Sequence, residues 1–144
     1  MGELMDDAEW RAFILHGTRT GKLGVARADG RPLVVPVWFI LDDDGIIRFQ
    51  TSEHSAKVRA IRHEPRVCLT VDEEVAPYSF VAIEATASVA PHDPDERWRV
   101  AHACAARYMG PALADEYARR NAVEGECVVE LRIVRVIAER DVSA

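Results

Sequence analysis

The stretch Ile46-Ile47-Arg48-Phe49-Gln50-Thr51-Ser52-Glu53-His54-Ser55-Ala56-Lys57-Val58-Arg59-Ala60-Ile61-Arg62-His63-Glu64-Pro65-Arg66 changes character along its length. It begins as a strand, with Ile47 and Phe49 on one side and Arg48 and Gln50 on the other. It then runs out into hydroxyls and turns into a short basic helix. Ser52 or Ser55 can cap that helix by accepting a bond from a free N–H of its first turn. Pro65 ends it, because the residue before a proline is pushed out of the helical region. Lys57, Arg59, Arg62 and Arg66 bring four formal cations against the single carboxylate Glu64. Hydroxyls, free N–H groups and a positive dipole end, with Lys57 and Arg59 alongside, can cradle a phosphate. The competing reading is a solvated helix whose cations serve solubility.

The rest of the chain limits what such a cradle could belong to. The 144 residues make one domain with a proper core, and 49% hydrophobic with 29% charged residues is ordinary for a globular protein. A net charge of −6 argues against a general nucleic-acid binder. Cys68, Cys104 and Cys127 have neither CxxC nor zinc-site spacing, so they read as three buried, reduced thiols. The acidic start Met1–Asp7 lacks the pattern of a signal peptide, and Asp6 stands where a myristoylation signal wants Ser or Thr. The longest uncharged run, Pro32 to Leu41, is far short of the ~20 residues of a membrane helix. A cytoplasmic protein without membrane or nucleic-acid partners is expected.

Trp10, Phe13 and Ile14 lie at helical spacing, which predicts an amphipathic helix over Ala8–His16. A strand over Lys22–Ala28 turns at Asp29-Gly30 into a second, Leu33–Leu41, which is apolar on both faces. Such a strand is packed on each side, for example by a barrel interior and a partner subunit. Pro36 in its middle predicts an edge or bulge, leaving backbone groups around Pro36, Val37 and Trp38 open to a ligand. The commoner fate of Trp38 is core packing. Asp42-Asp43-Asp44-Gly45 lacks the downstream spacing of a calcium loop and reads as a hairpin turn.

Strands over Val67–Asp72 and Phe80–Val89 follow, the second alternating cleanly, with Val81, Ile83, Ala85, Ala87 and Val89 inward. Helices over Asp95–Met109 and from Pro111 to about Asn121 precede a last strand, Cys127–Ala138. The expected plan is one domain over 1–144. It has an N-terminal helix within 1–17, barrel strands over 18–91 enclosing a helix at 55–64, a helical pair over 94–121 and a last strand at 127–138. About six strands joined mainly by hairpins favour an antiparallel barrel over a parallel sheet.

No dinucleotide fingerprint, Walker loop or nucleophile elbow occurs, and His16, His54, His63, His92 and His102 are scattered. Neither a catalytic residue nor a metal site is expected. A protein of this kind takes its reactivity from a cofactor and supplies position and electrostatics.

Several motifs stand together in order: Gly21-Lys22-Leu23, Asp29-Gly30-Arg31-Pro32, Val35-Pro36-Val37-Trp38-Phe39, Ser55-Ala56-Lys57-Val58-Arg59, Glu64-Pro65-Arg66-Val67, Pro77-Tyr78-Ser79-Phe80-Val81 and Arg107-Tyr108-Met109-Gly110. They resemble the flavin/deazaflavin oxidoreductases of the pyridoxamine 5'-phosphate oxidase-like superfamily, in the branch that uses coenzyme F420. The resemblance implies a homodimer of six-stranded antiparallel split β-barrels, the FMN-binding split barrel, with cofactor sites between subunits. It implies that Thr51, Ser52, Ser55, Lys57 and Arg59 hold the cofactor phosphate. Pro36, Val37 and Trp38 would lie along the ring, with Tyr78 near it. It further implies hydride transfer from C5 of reduced F420 to a conjugated substrate, possibly biliverdin-like. Two positions depart from the pattern, Ala60 where many relatives carry Asn and Ala85 where many carry Gly. The alternatives are an FMN-dependent oxidoreductase and a non-catalytic barrel that binds a flavin, deazaflavin or haem.

Overall fold

The computed structural model describes residues 2–144. Its frame is a single antiparallel sheet whose strands follow the order β3-β2-β6-β7-β8-β5-β4. These are β2 (Gly21–Ala26), β3 (Pro32–Val37), β4 (Ile40–Leu41), β5 (Ile46–Ser52), β6 (Arg66–Asp72), β7 (Phe80–Val89) and β8 (Glu126–Arg140), with a two-residue β1 (Glu3–Leu4) beside the end of β8. Setting aside β1 and β4, two residues each, leaves the expected set of six longer strands. Four α-helices accompany them: α1 (Asp7–Leu15), α2 (Ala56–His63), α3 (Pro94–Met109) and α4 (Ala114–Asn121).

The strands at the two free edges, β3 and β4, are consecutive in the chain and joined only by Trp38-Phe39. The sheet therefore curls until its edges meet, but no ladder closes them, and a split barrel results. The expected strand Leu33–Leu41 is broken at this seam. Its apolar residues on both faces gave no period to reveal the break. Pro36 sits on an edge strand, as its missing N–H requires.

β8 does most of the curling. Its first half pairs with β5 and nearly its whole length with β7. Between Glu84 and Ala85 the register with β7 slips, so that Val134 of β8 is left over. Such a bulge bends a strand and strengthens its twist. Ala85, the departure noted above, sits at that step and is buried.

The barrel interior is filled by the alternating faces of its strands, among them Leu23, Phe39, Ile47, Phe49, Leu69, Ile83 and Leu131, all fully buried. Trp10 and Ile14 of α1 join this core. α1 starts with a capping box between Asp6 and Glu9, which satisfies two otherwise free N–H groups. Gly21 packs so tightly that a Cβ would lie 2.6 Å from Leu69 Cδ1.

On the other face of β5 and β8 lies α3, with Val100, Cys104 and Val128 forming a second apolar cluster beside Trp38 and Ile40. Arg48, on the side of its strand opposite Ile47 and Phe49, is 8% exposed because α3 packs over β5. Its guanidinium meets Glu130 and Asp44 at 2.8 Å each, and Asp42 as well. Asp42 and Glu96 are also held by Arg99. The aspartates of the β4–β5 turn thus serve a buried arginine. The three cysteines do not share one fate: Cys104 is buried, Cys127 half-buried and Cys68 exposed on the sheet, contrary to the expectation of three buried thiols.

Candidate functional site

At the seam, beside the end of β3, a cleft of about 320 Å³ opens among β3, β5, α2 and α3. Pro36, Val37 and Trp38 form one wall, Thr51, Ser52 and Lys57 the opposite end, and Gln50, Cys104 and Glu126 the floor. Six of the nine residues expected at a cofactor site therefore meet here.

Each owes its place to a local feature. Trp38 lies flat against Tyr108 of α3, with ring centroids 5.2 Å apart and planes 6° from parallel. The Tyr108 hydroxyl donates to the Arg19 carbonyl at 2.9 Å and accepts from the Phe39 N–H at 3.3 Å. The Arg107 guanidinium donates to the Phe39 carbonyl at 2.7 Å, and the Cys104 thiol points at the Trp38 carbonyl, 3.7 Å away. Side chains of α3 therefore take up the backbone groups at the seam. They hold the Trp38 carbonyl and both backbone groups of Phe39, and β2 pairs with Pro36 and Val37 from one side, which confines the expected open backbone to the free edge of β3. Val37 packs into the barrel core, so Pro36 and Trp38 supply the side-chain surface of this wall.

At the far end, Thr51 and Ser52 finish β5 opposite Cys127 and Glu126 of β8. The Ser52 hydroxyl accepts from the His54 N–H at 3.2 Å, and Ser55 is the N-cap of α2, accepting from the Val58 N–H at 3.3 Å. Lys57 follows in the first turn. Among the described residues no carboxylate comes within ion-pair distance of Lys57.

Three expected residues lie elsewhere. Ser55 is engaged as the cap of α2 and does not line the cleft. Arg59, two residues beyond Lys57, points to a different cleft, because two helical steps turn a side chain by about 200°. Tyr78 sits half-exposed in the β6–β7 loop at φ +60°, its carbonyl accepting from the Val142 N–H at 2.9 Å.

Gln50, Cys104, Asn121 and Glu126 were not among the expected site residues. The Gln50 amide nitrogen donates to the Asn121 carbonyl, and its Oε1 is buried without a donor. Glu126 Oε2 is buried without a partner too, and burial raises the Glu126 carboxyl above the usual range, partly offset by Lys57 and Arg97. Burial also pushes the Cys104 thiol up to about 12, so it is a neutral wall and no nucleophile. Gln50 was legible as a residue on the same strand face as Arg48, whereas Glu126 reaches the site only through β5–β8 pairing. No histidine lines the cleft. Among the described residues no cluster of three His, Cys, Asp or Glu side chains could hold a metal ion.

The sequence profile of the family described as pyridoxamine 5'-phosphate oxidase matches residues 6–139. The chain belongs to the pyridoxamine 5'-phosphate oxidase-like split-barrel family. No curated protein matches the sequence significantly. Among solved structures, this member of the family is similar to the conserved hypothetical protein Rv2991 from Mycobacterium tuberculosis, at TM-score 0.83 and 24% identity, over 98% of this chain and 89% of that one. It is similar to an F420 reductase at TM-score 0.69 and 23% identity, over 87% of this chain and 94% of the other. It is also similar to HutZ, the heme storage protein from Vibrio cholerae, at TM-score 0.72 and 18% identity, over 92% and 94% of the two chains. At these identities the likeness is one of fold. The split barrel is thus common to a reductase and to a heme storage protein. Among the described residues no helix is long and apolar enough to cross a membrane.

The cleft suits a flavin-type group. Its apolar wall with the Trp38–Tyr108 stack behind offers a face to a flat ring. Two hydroxyls and an unpaired ammonium offer partners to a phosphate. The unpaired Gln50 Oε1 can accept from an N–H or hydroxyl of such a group.

Proposed function

We propose that this family member is an oxidoreductase working with F420, moving a hydride from the reduced cofactor to a conjugated organic substrate, with biliverdin-like tetrapyrroles the first class to try. The observation that carries the reading is one cleft combining an apolar ring wall, two hydroxyls and a lysine without a carboxylate partner. That an F420 reductase has this fold is consistent with F420, and the sequence motifs that resemble the F420 branch put it ahead of FMN. The alternative of a haem-binding barrel is disfavoured by the absence of histidine from the lining, since haem iron is commonly held by one.

When bound, F420 supplies a hydride from its deazaflavin ring, which is why the chain needs no nucleophile. Lys57, Thr51 and Ser52 hold the phosphate, and Ser55 contributes by fixing the helix start that presents Lys57. Pro36, Val37 and Trp38 bear on the ring and keep water from it. Tyr108 and Arg107 hold that wall in place.

The working unit we propose is a homodimer. A volume of about 320 Å³ is at the lower end of ligand sites, roughly 300–1,000 Å³, so a second copy would complete the cleft. On the outside of the sheet, Val34 and Val134, 65% and 71% exposed, flank a groove of about 600 Å³ that would receive that copy. For Tyr78 to touch a ring in this cleft, it must come from the second copy. Sedimentation at micromolar concentration should give a dimer, and a monomer would contradict this arrangement.

The cofactor assignment is tested by titrating purified protein with F420 and, separately, FMN, followed by fluorescence. Tight F420 and weak FMN binding is expected. Preference for FMN would move the protein to flavin chemistry, and binding of neither would overturn the reading.

A further inference from the structure

On the opposite side of α2 from Lys57 lies a separate cleft of about 370 Å³ that shares no lining residue with the first. Its charged residues are all arginines: Arg27, Arg31 and Arg59. Their meeting is a consequence of the fold. The β2–β3 hairpin closes with the Arg27 N–H donating to the Arg31 carbonyl at 3.0 Å, across a turn that Gly30 makes at φ +85°. Residues paired this way across a hairpin send their side chains to the same face of the sheet. The hairpin end lies against α2, whose helical twist brings Arg59 round to meet them.

In a chain of net charge −6, three gathered guanidinium groups call for compensation. Only Arg31 has a carboxylate, Asp29, with Nε to Oδ2 at 2.7 Å. Among the described residues Arg27 and Arg59 have none within ion-pair distance. Arg27 is nonetheless half-buried rather than extended into solvent. Arg59 is oriented, its Nη1 donating to the His54 carbonyl at 2.6 Å, with its other N–H groups left over. The remaining lining is Ala28, Ala56 and Ala60, small side chains that leave the space between the guanidinium groups open. The relatives' Asn at the position of Ala60 would place a polar side chain there.

We infer that this cleft is a second oxyanion site, binding a phosphate group of a ligand other than the cofactor. Guanidinium forks bind phosphate through paired, charge-assisted N–H···O bonds, and Arg27 and Arg59 line the cleft with N–H groups that no carboxylate occupies. The apolar part of the lining is alanine alone, with no aromatic or large aliphatic side chain to seat a ring, so recognition is of the charged group. The inference does not depend on which cofactor the seam cleft holds.

The test uses inorganic pyrophosphate as probe, titrated calorimetrically at low ionic strength, where screening is weakest. The intact protein should bind it saturably. Arg27→Gln with Arg59→Gln should weaken binding more than about tenfold, as loss of charged hydrogen bonds at a phosphate implies. Arg27→Gln alone removes no hydrogen bond of the fold and should weaken it several-fold, which separates recognition from a disturbed α2. Lys57→Ala should leave pyrophosphate binding in place. Absence of saturable binding by the intact protein would overturn the inference. So would a loss caused by Lys57→Ala and not by the arginine variants, since the anion would then sit in the seam cleft.

Discussion

Replacing Lys57 by alanine gives the most direct measure of the proposed cofactor site. Lys57 is half-buried, lines the seam cleft beside the hydroxyls of Thr51 and Ser52, and has no ion pair to lose on truncation. The substitution therefore removes a phosphate partner and breaks no ion pair, although it also takes away the cation that most favours the buried Glu126 carboxylate. A hydrogen bond to a charged group contributes about 1.5–3 kcal/mol, so the dissociation constant for F420 should rise by roughly 10- to 150-fold. Arg11→Ala, an exposed cation on α1, controls for net charge and should change it by less than about twofold. Both are read by fluorescence titration at two salt concentrations, and the gap between intact protein and Lys57→Ala should narrow at high salt. Unchanged affinity in Lys57→Ala, with melting also unchanged, would refute the assignment of the phosphate to this end of the cleft.

Three further outcomes follow from the packing. Arg48→Met should destabilise the fold by about 3–5 kcal/mol in urea unfolding, because it leaves Glu130 and Asp44 without their buried partner and Asp42 with Arg99 alone. Asp42 and Glu96 are held below the usual carboxylate range chiefly by Arg99, and Asp44 chiefly by Arg48. Their folded values lie below the unfolded ones, so their contribution is complete above about pH 4–5 and is lost as pH falls through the folded values. The melting temperature should accordingly drop on acidification below about pH 5, and Arg99→Gln should flatten that fall. Tyr108→Phe keeps the stack on Trp38 but leaves the Phe39 N–H and Arg19 carbonyl without their hydroxyl, and should cost about 1–2 kcal/mol in the same unfolding assay.

Much of the fold was legible because alternation and turn chemistry agree along most strands. Phe80–Val89 runs over the residues that its alternation marks, and Ser55 caps α2 as its place before the helix suggested. Reading stopped at contacts between distant segments. Nothing in the strand around Arg48 announces the helix that covers it. Trp38 meets Tyr108 across seventy positions, a pairing that only the placement of α3 on the seam creates. The last strand continues to Arg140 because β1 and β7 both extend its ladder, beyond the end that side-chain alternation marked. The separation of Lys57 from Arg59 was available in helical periodicity, and the density of charge in that segment masked it.

The seam has a consequence for how members of this family can differ. Elsewhere the width between neighbouring strands is set by backbone ladders, which admit one spacing. At the link between β3 and β4 the backbone is instead held by Tyr108, Arg107 and Cys104, whose lengths are a matter of residue choice. Substitutions on one face of α3 can therefore widen or narrow the opening without unpairing a strand. The barrel carries its own adjustable aperture, and the helix that sets it lies outside the core that keeps the protein folded.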